Sequence, residues 1–98
     1  MKIESEKVLE RKLAAEVKKL GGWTLKMVTC HISGLPDRIC LMPGGRVFFA
    51  EIKTTKEKPK KIQKLMHSKL IALGFNVFII DCTQDINNIL TCYKQGVR

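Results

Sequence analysis

Two short apolar runs, Arg38–Met42 and Val47–Ile52, meet at the turn residues Pro43-Gly44-Gly45 and read as a β-hairpin. Side chains alternate along a strand, so one face collects Ile39, Leu41, Val47 and Phe49, and the other Cys40, Met42, Phe48 and Ile52. Both faces are apolar. A hairpin of this kind belongs in the middle of a sheet, with further layers covering each side.

The rest of the chain supplies those layers. Val8, Leu9, Leu13, Val17 and Leu20 fall at helical spacing, and Gly21-Gly22 ends the run. Trp23 to Thr29 reads as a strand, His31 to Gly34 as a loop, and Thr54 to Lys61 as a polar, lysine-rich loop. A second amphipathic helix presents Ile62, Leu65, Met66, Leu70 and Leu73 and closes at Gly74. Phe75 to Ile80 is β-branched and strand-like. Thr83 to Tyr93 forms a last helix, with Thr83 or Asp85 as N-cap and Ile86, Ile89, Leu90 and Tyr93 turned inward. The order α-β-β-β-α-β-α predicts an α/β fold, a mixed four-stranded sheet flanked by helices. Its 98 residues, with no repeat and no linker, predict a single domain, 1–98.

Lys and Arg number 18 against 9 Asp and Glu, a net charge of +9 that suits a polyanion, above all nucleic acid. No apolar run reaches the ~20 residues of a membrane helix, and Met1 to Glu6 lacks a signal-peptide core, so an intracellular, cytoplasmic protein without a membrane partner is expected. Cys30, Cys40, Cys82 and Cys92 are too widely spaced for a zinc or redox pair and read as reduced, mostly buried thiols.

The chemistry gathers at the open end of the hairpin. A three-residue loop centred on Gly44 sets Met42 opposite Arg46, and that register puts Asp37 opposite Glu51, with Cβ atoms about 4.5–5.5 Å apart. A two-residue Gly44-Gly45 loop slips the register and puts Asp37 opposite Ile52. Facing carboxylates repel, and a bound cation removes that penalty. Asp37, Glu51 and the Ile52 carbonyl offer hard oxygen ligands to Mg²⁺, and Mn²⁺ suits them equally. Lys53, two residues past Glu51, projects from the same face, where it would orient or deprotonate a water or stabilise charge on phosphorus. Lys56, Lys58, Lys60, Lys61 and Lys64, with Arg38, read as a rim that tracks phosphates. His67 reads as structural or surface, Trp23 as core, and His31 as a loop residue within reach of the scissile phosphate.

Gly34-Leu35-Pro36-Asp37, the glycine turn, Phe48-Phe49-Ala50-Glu51-Ile52-Lys53 and Gln63 together resemble the PD-(D/E)XK nuclease superfamily, and within it the VRR-NUC (virus-type replication-repair nuclease) family. The similarity runs from the first helix to the strand at Phe75–Ile80. It implies a restriction-endonuclease-like core with Asp37, Glu51 and Lys53 catalytic, and Gln63 beside the lysine, orienting water or phosphate. It also implies a first-helix glutamate in the metal site. Glu10, on the edge of the inward stripe, is the choice, with Glu6 one turn earlier and Glu16 third. Compact stand-alone members look like Holliday-junction resolvases, which implies a Mg²⁺-dependent, structure-selective DNA endonuclease acting in DNA repair, a homodimer with one site per strand of branched DNA.

Overall fold

A computed structural model describes residues 5–28, 32–54 and 60–94. Thr29, Cys30, His31, Lys56 and Lys58 lie outside the described residues. The elements are α1 (Glu6–Lys19), β1 (Trp23–Lys26), β2 (Arg38–Met42), a 3₁₀ turn (Pro43–Gly45), β3 (Arg46–Ile52), α2 (Lys61–Ala72), β4 (Asn76–Ile80) and α3 (Thr83–Lys94). This is the predicted order. The four strands form one sheet in the order β1-β2-β3-β4. β1 and β3 run antiparallel to β2, and β4 joins β3 in parallel. A parallel neighbour needs a crossover, and α2 provides it.

The hairpin register is the one set by a three-residue loop. Met42 faces Arg46, Cys40 faces Phe48 and Arg38 faces Ala50. Gly44 and Gly45 take positive φ, +82° and +76°, as the tight turn requires. Arg46 fastens this turn to the last helix. Its Nε donates to the Pro43 carbonyl at 2.9 Å, its Nη2 donates to the Tyr93 carbonyl at 3.2 Å, and its guanidinium lies over the Tyr93 ring.

β3 is the strand most enclosed, buried from Phe48 through Ile52. On one face of the sheet, Cys40, Met42, Phe48, Ala50, Ile52 and Ile80 form the core with Leu9, Leu13 and Val17 of α1 and Ile86, Ile89, Leu90 and Tyr93 of α3. Ser5 starts α1, its hydroxyl accepting the Val8 N–H at 3.1 Å. At the start of α3 the Asp85 carboxylate accepts the N–H groups of Asp81 and Cys82, so Asp85 reaches back from inside the helix rather than standing ahead of it. Cys40 is buried, Cys82 partly buried and Cys92 exposed, all three as free thiols.

The other face carries Phe49 and Glu51, and α2 lies beside it, chiefly against β4. Here two expectations fail. The stripe Ile62, Leu65, Met66, Leu70 and Leu73 does not face the core: Ile62, Leu65 and Leu73 are exposed, the last at 74%, and the one buried residue of α2 is His67. The helix is rotated so that Gln63 and His67, one turn apart, face the sheet, because Gln63 bonds to Glu51 there. Trp23 is not core either. It opens the edge strand β1 and is 64% exposed.

The α1 stripe of Leu9, Leu13 and Val17 is fully buried in this core. Truncating its centre, Leu13→Ala, should lower unfolding free energy by about 2–5 kcal/mol, because the fully buried site leaves a cavity. Urea denaturation of both proteins measures this, and a loss under 1 kcal/mol would contradict the packing described.

Candidate active site

The hairpin positions the two acids. Extending the β2–β3 register one pair beyond Arg38 and Ala50 brings Asp37 opposite Glu51. The Asp37 Oδ2 accepts the Ile52 N–H at 3.1 Å, and the Asp37 carbonyl accepts the Met27 N–H at 2.8 Å. Asp37 is thereby clamped between β1 and β3. In extended backbone the N–H and C=O of one residue leave on the same side, so the Ile52 carbonyl is directed towards Asp37 as well. Upstream, Gly34 has φ +84°, and a Cβ there would lie 2.6 Å from the Ile62 carbonyl oxygen. The loop leading to Asp37 therefore packs directly on the first turn of α2.

Glu51 is only 2% exposed. Its Oε2 accepts the Gln63 side-chain N–H at 2.9 Å and lies 3.8 Å from the Lys53 ammonium. Its Oε1 is buried without a hydrogen-bond partner. Gln63 is itself held, since its Oε1 accepts the Lys60 N–H at 2.9 Å at the start of α2. Lys53 follows the last residue of β3, and its N–H continues the ladder to the Ile80 carbonyl at 3.0 Å. Four of the expected residues, Asp37, Glu51, Lys53 and Gln63, thus converge.

Burial foremost, and then the Asp37 charge, push the Glu51 carboxyl up from its ordinary 4.5 to about 6; Lys53, Gln63 and the Asp37 backbone N–H pull it back. An acid held this way is short of positive charge. The orphaned Oε1, the second carboxylate and the Ile52 carbonyl form a donor set of hard oxygens that fits a divalent cation retaining several waters.

The structure does not bring Glu10 to this pair. Its carboxylate is 3.0 Å from the Arg38 guanidinium. Arg38 alternates with Asp37 along the strand, so the ion pair lies on the α1 side of the sheet. Among the described residues no group of three or more His, Cys, Asp or Glu could hold a metal. Arg38, paired with Glu10, is not an open phosphate contact. Lys60, Lys61 and Lys64 are exposed around the first turn of α2.

His67, expected as a structural or surface residue, is buried on the sheet-facing side of α2. It is 7% exposed with an unpartnered Nε2, burial holds its pKa below the ordinary value, and the Asp37 charge draws it back up. The available signal was its i+4 spacing from Gln63, which puts both on one helix face.

Together, the helix-flanked mixed sheet and the Asp37–Glu51–Lys53 cluster define a PD-(D/E)XK, restriction-endonuclease-like core. The chain matches no family model. It is 39% identical over 90 residues to the "Putative nuclease p44" of Acyrthosiphon pisum secondary endosymbiont phage 1, covering 92% of this chain and 96% of that one. A solved structure described as "VRR_NUC domain" superposes with a TM-score of 0.83 at 26% identity, covering 90% of this chain and 96% of the other. The chain belongs to the VRR-NUC family.

The Glu51 environment sets a stability signature. For a group whose pKa is raised on folding, the stabilisation is present below the unfolded value near 4.5 and is lost as pH rises through about 6. Glu51→Gln, which keeps the acceptor for Gln63 and removes the charge, should be more stable than wild type at pH 7 in EDTA by about 2 kcal/mol. The two should converge below pH 4.5. Urea titrations across this range measure it, and equal stabilities at pH 7 would contradict a strained carboxylate.

Proposed function

We propose that this chain is a divalent-metal-dependent deoxyribonuclease that hydrolyses phosphodiester bonds at the Asp37–Glu51–Lys53 cluster. The observation that carries the proposal is the buried, unpartnered Glu51 oxygen facing a second carboxylate, with an ammonium 3.8 Å from the same side chain. Two carboxylates pressed together against phosphate have no use in a protein that only binds nucleic acid. The names of the phage relative and of the structural neighbour point the same way.

Asp37, Glu51 and the Ile52 carbonyl are the residues that would hold Mg²⁺ or Mn²⁺. When bound, such an ion supplies a Lewis acid at the phosphoryl oxygen and a water of lowered pKa. The chain's own residues do the rest. Asp37 is fixed by the Ile52 N–H, so it meets its ligand without reorganising. Gln63 holds Glu51 in one orientation. Lys53 places a positive charge where negative charge develops on phosphorus and orients the attacking water. Lys60, Lys61 and Lys64 attract the DNA backbone without reading its bases.

Branched DNA is the substrate proposed, cut by a homodimer. A two-fold axis would give each strand of a symmetric junction its own site. Among the described residues nothing resembles a helix-turn-helix, which favours recognition of shape over sequence.

Cleavage of a labelled four-way junction and of a linear duplex of equal length tests this. With Mg²⁺, paired symmetric cuts in the junction are expected. EDTA should abolish them, and Asp37→Ala, Glu51→Ala and Lys53→Ala should each slow them by at least about a hundredfold. Mg²⁺ or Mn²⁺ should raise the melting temperature of wild type and not of Glu51→Ala. Equal cutting of every DNA removes the preference for branches, and binding without metal-dependent cutting removes the enzyme.

A further inference from the structure

The hairpin is apolar on both faces, and the chain covers only one of them fully. On the α1 and α3 side Cys40, Met42 and Phe48 are buried. Their neighbours on the opposite face, Ile39, Leu41 and Val47, stay only partly buried. The strand registers set these residues in two rungs that cross all four strands. Trp23 pairs with Leu41 and Leu41 with Val47, and extending the β3–β4 register by one residue adds Phe75. Leu25, Ile39, Phe49 and Val77 form the next rung. Two residues further along, about 7 Å, comes the rung of Asp37 and Glu51. Neither apolar rung holds a charged residue, on a chain whose net charge is +9.

α2 packs chiefly against β4 and, among the described residues, leaves the β1–β2 half of this face open. The face is therefore a ridge beside a trough. The ridge is apolar outward as well, with Ile62 45% and Leu65 60% exposed. Together with Met66, Ser68, Lys69 and Ala72 they line a groove of about 440 Å³ along the helix. Trp23, 64% exposed, stands at the outer margin of the trough on the edge strand β1. An uncovered apolar face of this extent marks a contact with protein.

A ridge and a trough side by side are self-complementary. Two copies laid face to face about a two-fold axis parallel to the strands set each α2 over the other's β1–β2 trough. An axis across the strands would set ridge on ridge. A helix of 12 residues is about 18 Å long and about 10 Å across, an outline of roughly 180 Å². The contact forms twice, once with each α2, and side-chain relief brings the surface lost per copy to roughly the 800 Å² of a standard dimer. Charge favours the same occupant. Copies of +9 repel, so they meet where charged side chains are missing, whereas DNA or an acidic protein finds no cation in either rung.

We propose that this face is the contact between two copies of the chain, with Trp23 of each against α2 of the other. The proposal deepens the homodimer part of the nuclease reading and rests on that reading for its purpose. An axis parallel to the strands preserves their direction. Both Asp37–Glu51 rungs then open at the same end of the pair, where one branched DNA reaches both.

Sedimentation velocity of the full chain, without DNA or metal, tests it. A dimer is expected, with Kd at or below the micromolar range. Leu65→Asp and Trp23→Ala, both at exposed positions, should each weaken association by at least about thirtyfold. Circular dichroism should show both variants still folded. Lys18→Gln, on exposed α1, should leave association within about twofold. Rising salt should tighten the dimer, because it screens the repulsion between copies. Emission of Trp23, the lone tryptophan, should move to the red as wild type is diluted through dissociation.

A chain that stays monomeric at about 100 μM would overturn the proposal and leave the face to an apolar surface of another protein. A dimer that both variants leave intact would overturn it too, as would Trp23 emission that ignores dissociation, by placing the contact elsewhere. The two readings fail separately. A monomer that still cuts DNA removes the interface and leaves the nuclease. A dimer broken by Leu65→Asp that never cuts DNA keeps the interface and removes the nuclease.

Discussion

A carboxylate at the end of the most enclosed strand is expensive to keep ionised, and much of the local structure answers that expense. Glu51 is 2% exposed and faces a second acid. Removing an ion from water is offset only by hydrogen bonds and opposite charge nearby. Gln63 supplies one hydrogen bond and Lys53 a distant charge, while one oxygen stays without a partner. That incomplete compensation sets the site apart from an internal salt bridge. A salt-bridged Glu51 would have a depressed pKa, and here burial and Asp37 win over Lys53 and raise it.

Satisfying Glu51 also fixes the orientation of α2. The helix has enough apolar residues to bury a conventional stripe, and it leaves Ile62 and Leu65 exposed. Gln63 must reach Glu51, and His67, one turn on, goes inward with it. The loop before Asp37 packs against the same turn through Gly34. Both carboxylates are thus referenced to the start of α2, so the site is braced by a helix whose local sequence favours another rotation. Conflict between local pattern and final placement is expected where function has set the geometry.

This explains what was legible in the sequence and what was not. Element order, the mixed sheet and the inward faces of α1 and α3 followed from apolar periodicity alone, because nothing competes with burial at Leu9, Leu13, Val17, Ile86 or Leu90. The convergence of Asp37, Glu51 and Lys53 was readable once the turn was taken as three residues. The apolar faces could not select that register, because both are hydrophobic, and Gly44 and Gly45 suit either turn. The face of α2 was misread because its pattern is that of a surface helix with the polar side outward. Trp23 was misread because an aromatic residue that opens a strand is usually core, and nothing local reveals that β1 is an edge strand. Glu10 was placed by its position on α1, and its pairing with Arg38 depends on a strand 28 residues away in sequence.

The two sides of the sheet divide the work between them. On the α1 and α3 side apolar side chains interlock around Phe48, whose ring meets those of Phe78 and Tyr93. That side can stay rigid without polar groups, so the outer surface of α1 is free to carry charge. On the α2 side the sheet is held partly by Phe49 against Phe75 and partly by the polar contacts of Glu51. The hairpin joins the two because Asp37 and Arg38 are neighbours on β2 that project to opposite sides. Asp37 enters the acidic cluster and Arg38 the ion pair with Glu10 of α1. That adjacency, written in two consecutive residues, ties the acidic cluster on one side and the anchoring of α1 on the other to the same end of so small a sheet.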